Sequence, residues 1–144
     1  MARALVDGMR LRSLMYVSLA ATMLGGCVSL RPVAPVVDAP GGVRVLVRGQ
    51  DDDLFRLEVV NYGRAPITVD GGRVVIVTAS GTRARIAGGS DAVDRLPPGA
   101  HHTLDVRFAL GAIRPGDRVA ISLAGAVTLN GQLLTVPALE FVAD

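Results

Sequence analysis

The sequence predicts an all-β domain: a two-sheet antiparallel sandwich of about seven or eight short strands, following a cleaved signal and an extended linker. Three observations predict it. Apolar residues alternate with polar ones at a period of two in run after run between Val43 and Phe141. Gly, Pro, Asn and Asp clusters separate these runs at short intervals. No stretch of this part carries the apolar spacing of an amphipathic helix.

The elements follow in chain order. Arg3, Arg10 and Arg12 precede a nearly uncharged stretch from Leu14 to Gly26, LMYVSLAATMLGG. A spanning helix needs about 20 apolar residues, so this run is short for a membrane anchor. A basic start, an apolar middle and a small-residue end form a secretory signal over residues 1–26. Met9 offers a second possible start within it. The run ends in Leu24-Gly25-Gly26-Cys27, and Cys27 is the only cysteine of the chain. These four residues resemble the lipobox of bacterial lipoproteins. The resemblance implies cleavage after Gly26, a thioether to diacylglycerol at the Cys27 sulfur and acylation of the new amine. Two or three acyl chains hold a protein stably where one is marginal. Val28, rather than an aspartate, follows the cysteine, which by resemblance to enterobacterial sorting favours the outer membrane facing the periplasm.

Val28 to Gly42, VSLRPVAPVVDAPGG, carries Pro32, Pro35 and Pro40, which disfavour helix and ladder pairing. It reads as the linker of a lipidated segment 27–42, about 45 Å long if extended. The alternative is an N-terminal strand within Val33–Val37.

Residues 43–144 then read as the sandwich. Val43, Val45 and Val47 form one strand; Asp51-Asp52-Asp53 turn; Phe55, Leu57 and Val59 form the next. Asn61-Tyr62-Gly63 breaks it, and Pro66 opens Ile67–Val69. Asp70-Gly71-Gly72 turns into Val74–Val77, and Ser80-Gly81 turns into Thr82–Ile86, an edge strand with Arg83 and Arg85 facing outward. Residues 88–100 make the longest loop. Leu104, Val106 and Phe108 form a strand, Arg114–Asp117 a turn, and Val119, Ile121 and Leu123 a strand. Asn130-Gly131 marks a hairpin, and Leu133–Phe141 closes the chain. The aromatic core candidates are Phe55, Phe108 and Phe141.

The order of signals resembles a known class. Leu57–Asn61 followed by Ala65-Pro66-Ile67 looks like the strand–Asn–strand corner of immunoglobulin-like envelope domains, and is similar to the water-stress/LEA14-type sandwich. Leu96-Pro97-Pro98-Gly99 with a strand from Thr103, and Ala124–Val127 before the last hairpin, fit the same order. The resemblance covers residues 43–142. Tyr62 stands where the water-stress family usually shows proline.

Charge and composition narrow the function. The chain carries fifteen Lys+Arg, all arginine, against thirteen acids, a net +2 and a pI near 9.3, with a mean hydropathy of +0.44. Three of those arginines and one acid, Asp7, precede Cys27, so the remainder is neutral. A nucleic-acid partner, which needs a basic face, loses its support. Ser29, Ser80, Ser90 and Ser122 lie in no nucleophile elbow, and no glycine-rich phosphate cradle opens a helix. His101 and Asp105 share one strand face, and with Asp91 or Asp94 they are the one candidate metal set. Asp51–Asp53 lacks the alternate spacing of a calcium loop. The sequence thus points to a non-catalytic, cofactor-free, membrane-anchored module with a protein partner in the envelope. Arg83, Arg85 and the 88–100 loop are its contact surface. A metal- or small-ligand-binding lipoprotein is the alternative.

Overall fold

The structure, a computed structural model, describes residues 28–51, 54–79, 81, 83–85, 93–107 and 113–144; residues 50, 51 and 83–85 are described by their backbone alone. The signal, Leu24, Gly25, Gly26 and Cys27 lie outside the described residues, as do Asp52, Asp53, Asp91 and Phe108.

Thirteen short strands are present among them: β1 (Leu30–Pro32), β2 (Val36–Ala39), β3 (Val43–Asp51), β4 (Leu54–Asn61), β5 (Ile67–Asp70), β6 (Val75–Val77), β7 (Arg83–Arg85), β8 (Val93–Leu96), β9 (His101–Arg107), β10 (Arg118–Ser122), β11 (Val127–Leu129), β12 (Gln132–Leu133) and β13 (Leu139–Ala143). Every pairing is antiparallel. No helix among the described residues is long and apolar enough to cross a membrane.

The strands pair in three ladders, ordered β1-β13-β10-β6-β7, β12-β11-β5-β8 and β2-β3-β4-β9. The first two are one layer interrupted at a single level. β6 pairs β10 with Val75 opposite Ser122, and β5 pairs β11 with Val69 opposite Val127, so the same two chain segments run side by side through both ladders. Between these pairs each segment makes an excursion. One is a 3₁₀ turn over Gly71–Arg73, capped by Asp70 Oδ1 accepting the Gly72 N–H at 3.0 Å. The other is the turn at Ala124–Ala126, and the Asp70 N–H donates to the Ala126 carbonyl at 2.7 Å across the break. The expected all-β sandwich is therefore present, with more and shorter strands than the apolar runs alone predict.

The core lies between the layers. Val43, Val45, Phe55, Leu57, Val59, Leu104 and Val106 come from one side, and Leu30, Val119, Ile121, Leu139 and Phe141 from the other; all are buried. Phe55 and Phe141 meet edge to face across the sandwich at 4.6 Å between centroids, the geometry their ring quadrupoles prefer.

Two expectations are corrected. The segment 27–42 is not a free linker where it is described. Leu30–Pro32 pairs with Phe141–Ala143, and Val36–Ala39 pairs with Val43–Leu46. The prolines are compatible because β1 and β2 stand at the ends of their ladders, where a missing N–H costs no ladder bond. Pro35 even accepts a bond, from the Val47 N–H at 2.8 Å. The 88–100 loop also contains a strand, β8, paired to β5. Its polar alternation hides it, because only Leu96 faces the core while Val93 is exposed.

Asn61 holds the corner after β4. It is the single polar residue among the buried ones described, at 0% exposure. Its Nδ2 donates to the carbonyls of Ala65 at 2.9 Å and Leu96 at 3.0 Å, and its Oδ1 accepts the Gly63 N–H at 3.0 Å. Its backbone N–H donates to Ala100, and its carbonyl accepts from Gly99. Asn61→Ala removes three side-chain hydrogen bonds, one buried and two half-buried, and should cost about 2–4 kcal/mol in urea unfolding. Asn61→Asp puts an anionic oxygen against two carbonyls at neutral pH; its deficit should shrink as acid protonates the carboxyl and restores a donor. A deficit under about 0.5 kcal/mol for Asn61→Ala, within the range of ordinary surface substitutions, would show that the corner does not depend on this amide.

Candidate functional site

Three features carry side chains that a partner or ligand can meet, the outer face of the β2-β3-β4-β9 ladder, the β9 histidines and the groove beside Tyr62, and a fourth, the β7 edge, is described by its backbone.

The outer face is laced with ion pairs because period-two alternation brings charged residues of adjacent strands opposite one another. Asp38 of β2 faces Arg44 of β3, and Arg56 of β4 faces Asp105 of β9. Arg44 Nε donates to Asp38 Oδ1 at 2.6 Å and its second nitrogen to Oδ2 at 3.2 Å, a forked contact. Arg56 Nε donates to Asp105 Oδ1 at 3.0 Å. Arg48 sits at a register shift between Val47 and Gly49 and pairs with Glu58, whose other oxygen lies 4.0 Å from His101 Nδ1. Each carboxylate therefore already has a cation.

That pairing bears on the metal expectation, one of whose acids, Asp91, lies outside the described residues. His101 and Asp105 share a face, but four residues along a strand separate them by about 13 Å. Asp105 is engaged by Arg56, and His101 lies near Glu58. Asp94 turns to the other histidine: His102 Nδ1 is 2.9 Å from Asp94 Oδ2. His102 is half-buried, and its Nε2 is buried and meets no hydrogen-bond partner among the described residues. Among these residues no three His, Cys, Asp or Glu side chains converge on a common point. The His102–Asp94 link escaped sequence reading because Asp94 lies on β8, a strand concealed inside an apparent loop. The short connection supplies it: β8 leads directly through Pro97–Ala100 into β9.

The groove has a volume of about 430 Å³ and is lined by Asp38, Ala39, Gly42, Val43, Arg44 and Tyr62. It forms where two glycine turns touch. The Tyr62 N–H donates to the Gly42 carbonyl at 2.8 Å. A Cβ on Gly63 would come within 2.1 Å of the Gly41 carbonyl oxygen, so only glycine allows this approach. Tyr62 is 62% exposed, and the Arg44 guanidinium lies 5.5 Å from its ring centroid, within cation–π range. Arg44 thus holds both Asp38 and the ring, leaving the groove a shallow feature with its charges satisfied.

β7 ends its ladder, with β6 on one side and no described strand on the other. Arg83 and Arg85 stand opposite Val77 and Val75. The edge position expected from the Thr82–Ile86 pattern is thus present in the backbone, while the two arginine side chains lie outside the description, as do residues 86–92 of the contact loop.

The hydrogen bonds from Arg44, followed by its charge, hold the Asp38 carboxyl below the usual carboxylate range. A group whose folded pKa is depressed stabilises the fold above its unfolded pKa and loses that contribution as pH falls through the folded value. Parent and Asp38→Asn proteins should therefore differ in urea midpoint at pH 6, and the difference should shrink progressively as pH falls below the ordinary carboxylate range. Because the pair lies at the surface, 1 M salt should narrow the pH 6 difference. A gap unchanged in acid would trace it to something other than this charge.

No protein-family model matches the chain, and no curated protein does. Among solved structures it is similar to a chain described as the archaeal flagellum of Methanospirillum hungatei strain JF1, at 12% identity and a TM-score of 0.42, over 96% of this chain and 85% of that chain. A superposition this loose carries no function across.

Proposed function

We propose that the protein is a non-catalytic, lipid-anchored module of the bacterial cell envelope that works by protein contact. The observation that carries this reading is Leu24-Gly25-Gly26-Cys27. The chain's one thiol stands directly after small residues that end an apolar run with a basic start. The neutral composition of the remaining chain and the self-satisfied ion pairs of its outer face support contact rather than chemistry. In this reading Cys27 bears the lipid, and the anchor faces the periplasm from the outer membrane.

The β7 edge supports the mode of contact. A three-residue edge strand offers unpaired backbone to an incoming strand, and flanking charges keep such an edge from pairing indiscriminately. Arg83 and Arg85 favour an extended acidic segment as the added strand. The loop up to Ala100 adjoins this surface in the proposal, and no cofactor takes part.

Two measurements test it. Cys27→Ala should abolish palmitate labelling and lipoprotein-type processing; a processed, membrane-bound Cys27→Ala protein would refute the anchor. A photo-crosslinking residue at position 83 or 85 in living cells should yield one recurrent envelope protein, lost when the neighbouring arginine is reversed to glutamate. A diffuse smear of adducts, or none, would remove β7 as the contact edge.

A further inference from the structure

The start of the described chain is zipped to its last residues, and this determines how an anchored module would sit. The Asp144 N–H donates to the Ser29 carbonyl at 2.8 Å, and the Ser29 N–H donates to Asp144 at 3.4 Å. Leu30 follows at 1% exposure, packed in the core, and β1 continues the pairing to Phe141. Cys27 is only two peptide units from Ser29, a path of at most about 7 Å. The extended reading of this segment would allow about 45 Å.

The surface around Ser29 is built from a small set of groups. The Gly116 N–H donates to the Ala143 carbonyl, and the Ala143 N–H to the Asp117 carbonyl, so the Arg114–Asp117 turn lies beside β13 at this end. Asp117 Oδ2 accepts the Arg114 N–H at 2.9 Å and fixes the turn. Arg31 pairs with Asp144 at 3.2 Å, and Arg118 lies 3.9 Å from Glu140. Arg114 and Pro115 are exposed, and among the described residues the Arg114 side chain makes no ion pair.

We infer that the module rests directly on the phospholipid headgroups with the Arg114–Asp117 turn against them, rather than projecting from the membrane on a linker. The inference rests on the lipid-anchor reading of Cys27. A thioether-linked glycerol lies at the boundary of the hydrocarbon core, and the headgroup zone above it is about 5–7 Å deep. A path of that same length between Cys27 and Ser29 leaves the turn no room to stand clear. Arg114 then meets lipid phosphate, which a guanidinium binds in forked geometry. The seating comes from the tether. The other two arginines of this end are already paired, so the end carries little charge to attract an anionic surface by itself.

Nitroxide labels on full-length lipidated protein test the seating. Pro115→Cys places a label on the turn. Ala124→Cys places one beyond the opposite end of β10, about 20 Å away along the strand. In phosphatidylcholine–phosphatidylglycerol vesicles holding a nickel-chelating headgroup lipid, relaxation at position 115 should exceed that at 124 several-fold. Inserting about sixteen Gly-Ser residues after Val28 should bring the two labels to the same low value. Arg114→Cys gives the same reading if Pro115→Cys does not fold. Palmitate labelling of each preparation separates the two ideas. Labelled protein with equal relaxation at both sites overturns the seating alone, and protein that takes no palmitate overturns the anchor and the seating together.

Discussion

One buried amide ties the two layers of this fold into a single corner. Asn61 ends β4 in one layer, and it spans from the start of β5 to the end of β8 in the other. Its backbone meanwhile fixes the turn that leads into β9. An amide suits the position because it offers two donors and an acceptor at once. The neighbouring carbonyls of Ala65 and Leu96 need donors, and the Gly63 N–H needs an acceptor. A carboxylate or a hydroxyl supplies only part of that set. The two glycine turns beside the groove depend on the same corner, since Gly63 reaches Gly41 only when Asn61 holds the bend.

The two surfaces of the β2-β3-β4-β9 layer show how alternation divides labour. Inward positions carry aliphatic residues and Phe55, whose burial is the main favourable term in folding. Outward positions carry Asp38 facing Arg44 and Arg56 facing Asp105, and Glu58 pairs with Arg48 at the register shift. Exposed pairs of this kind contribute little stability each. They do set register, because a one-residue slip would put these charges into the core. The same pairing engages Asp38, Glu58 and Asp105 with arginines, and among the described residues no third ligand converges with His101 and Asp105.

Much of the architecture was legible in local chemistry. Asn130-Gly131 forms the hairpin turn between β11 and β12, with φ of 52° and 78°, as a two-residue turn of that type requires. Asp70-Gly71-Gly72 and Arg114–Asp117 turn where their residues predict. The edge position of β7 followed from arginines alternating in a short run. Less legible were β1, β2 and β8. Prolines in Val28–Gly42 disguise two edge strands: β1 pairs with a strand more than a hundred residues away, which local propensity cannot see, and β2 pairs with its neighbour β3 across the Pro40–Gly42 turn. The His102–Asp94 link was hidden for a different reason, the polar alternation of β8 inside an apparent loop. The proposal for Cys27 rests on the sequence alone, since that residue stands outside the described ones.

The pairing of β1 with β13 also orders events in time. Arg31 and Asp144 are separated by 113 positions, and contacts that close so long a loop form late, after the local hairpins. The hairpins β3–β4, β6–β7 and β11–β12 can form from neighbouring residues, whereas Leu30 has no partner strand until Leu139–Ala143 is available. In a chain threaded through a membrane from its N-terminus, β1 is among the first strands to arrive and among the last to be stitched in. Until then the segment from Leu30 to Pro32 remains an unpaired extended strand. A processing enzyme acting two residues before Ser29 would meet a substrate kept open by the topology of the finished fold.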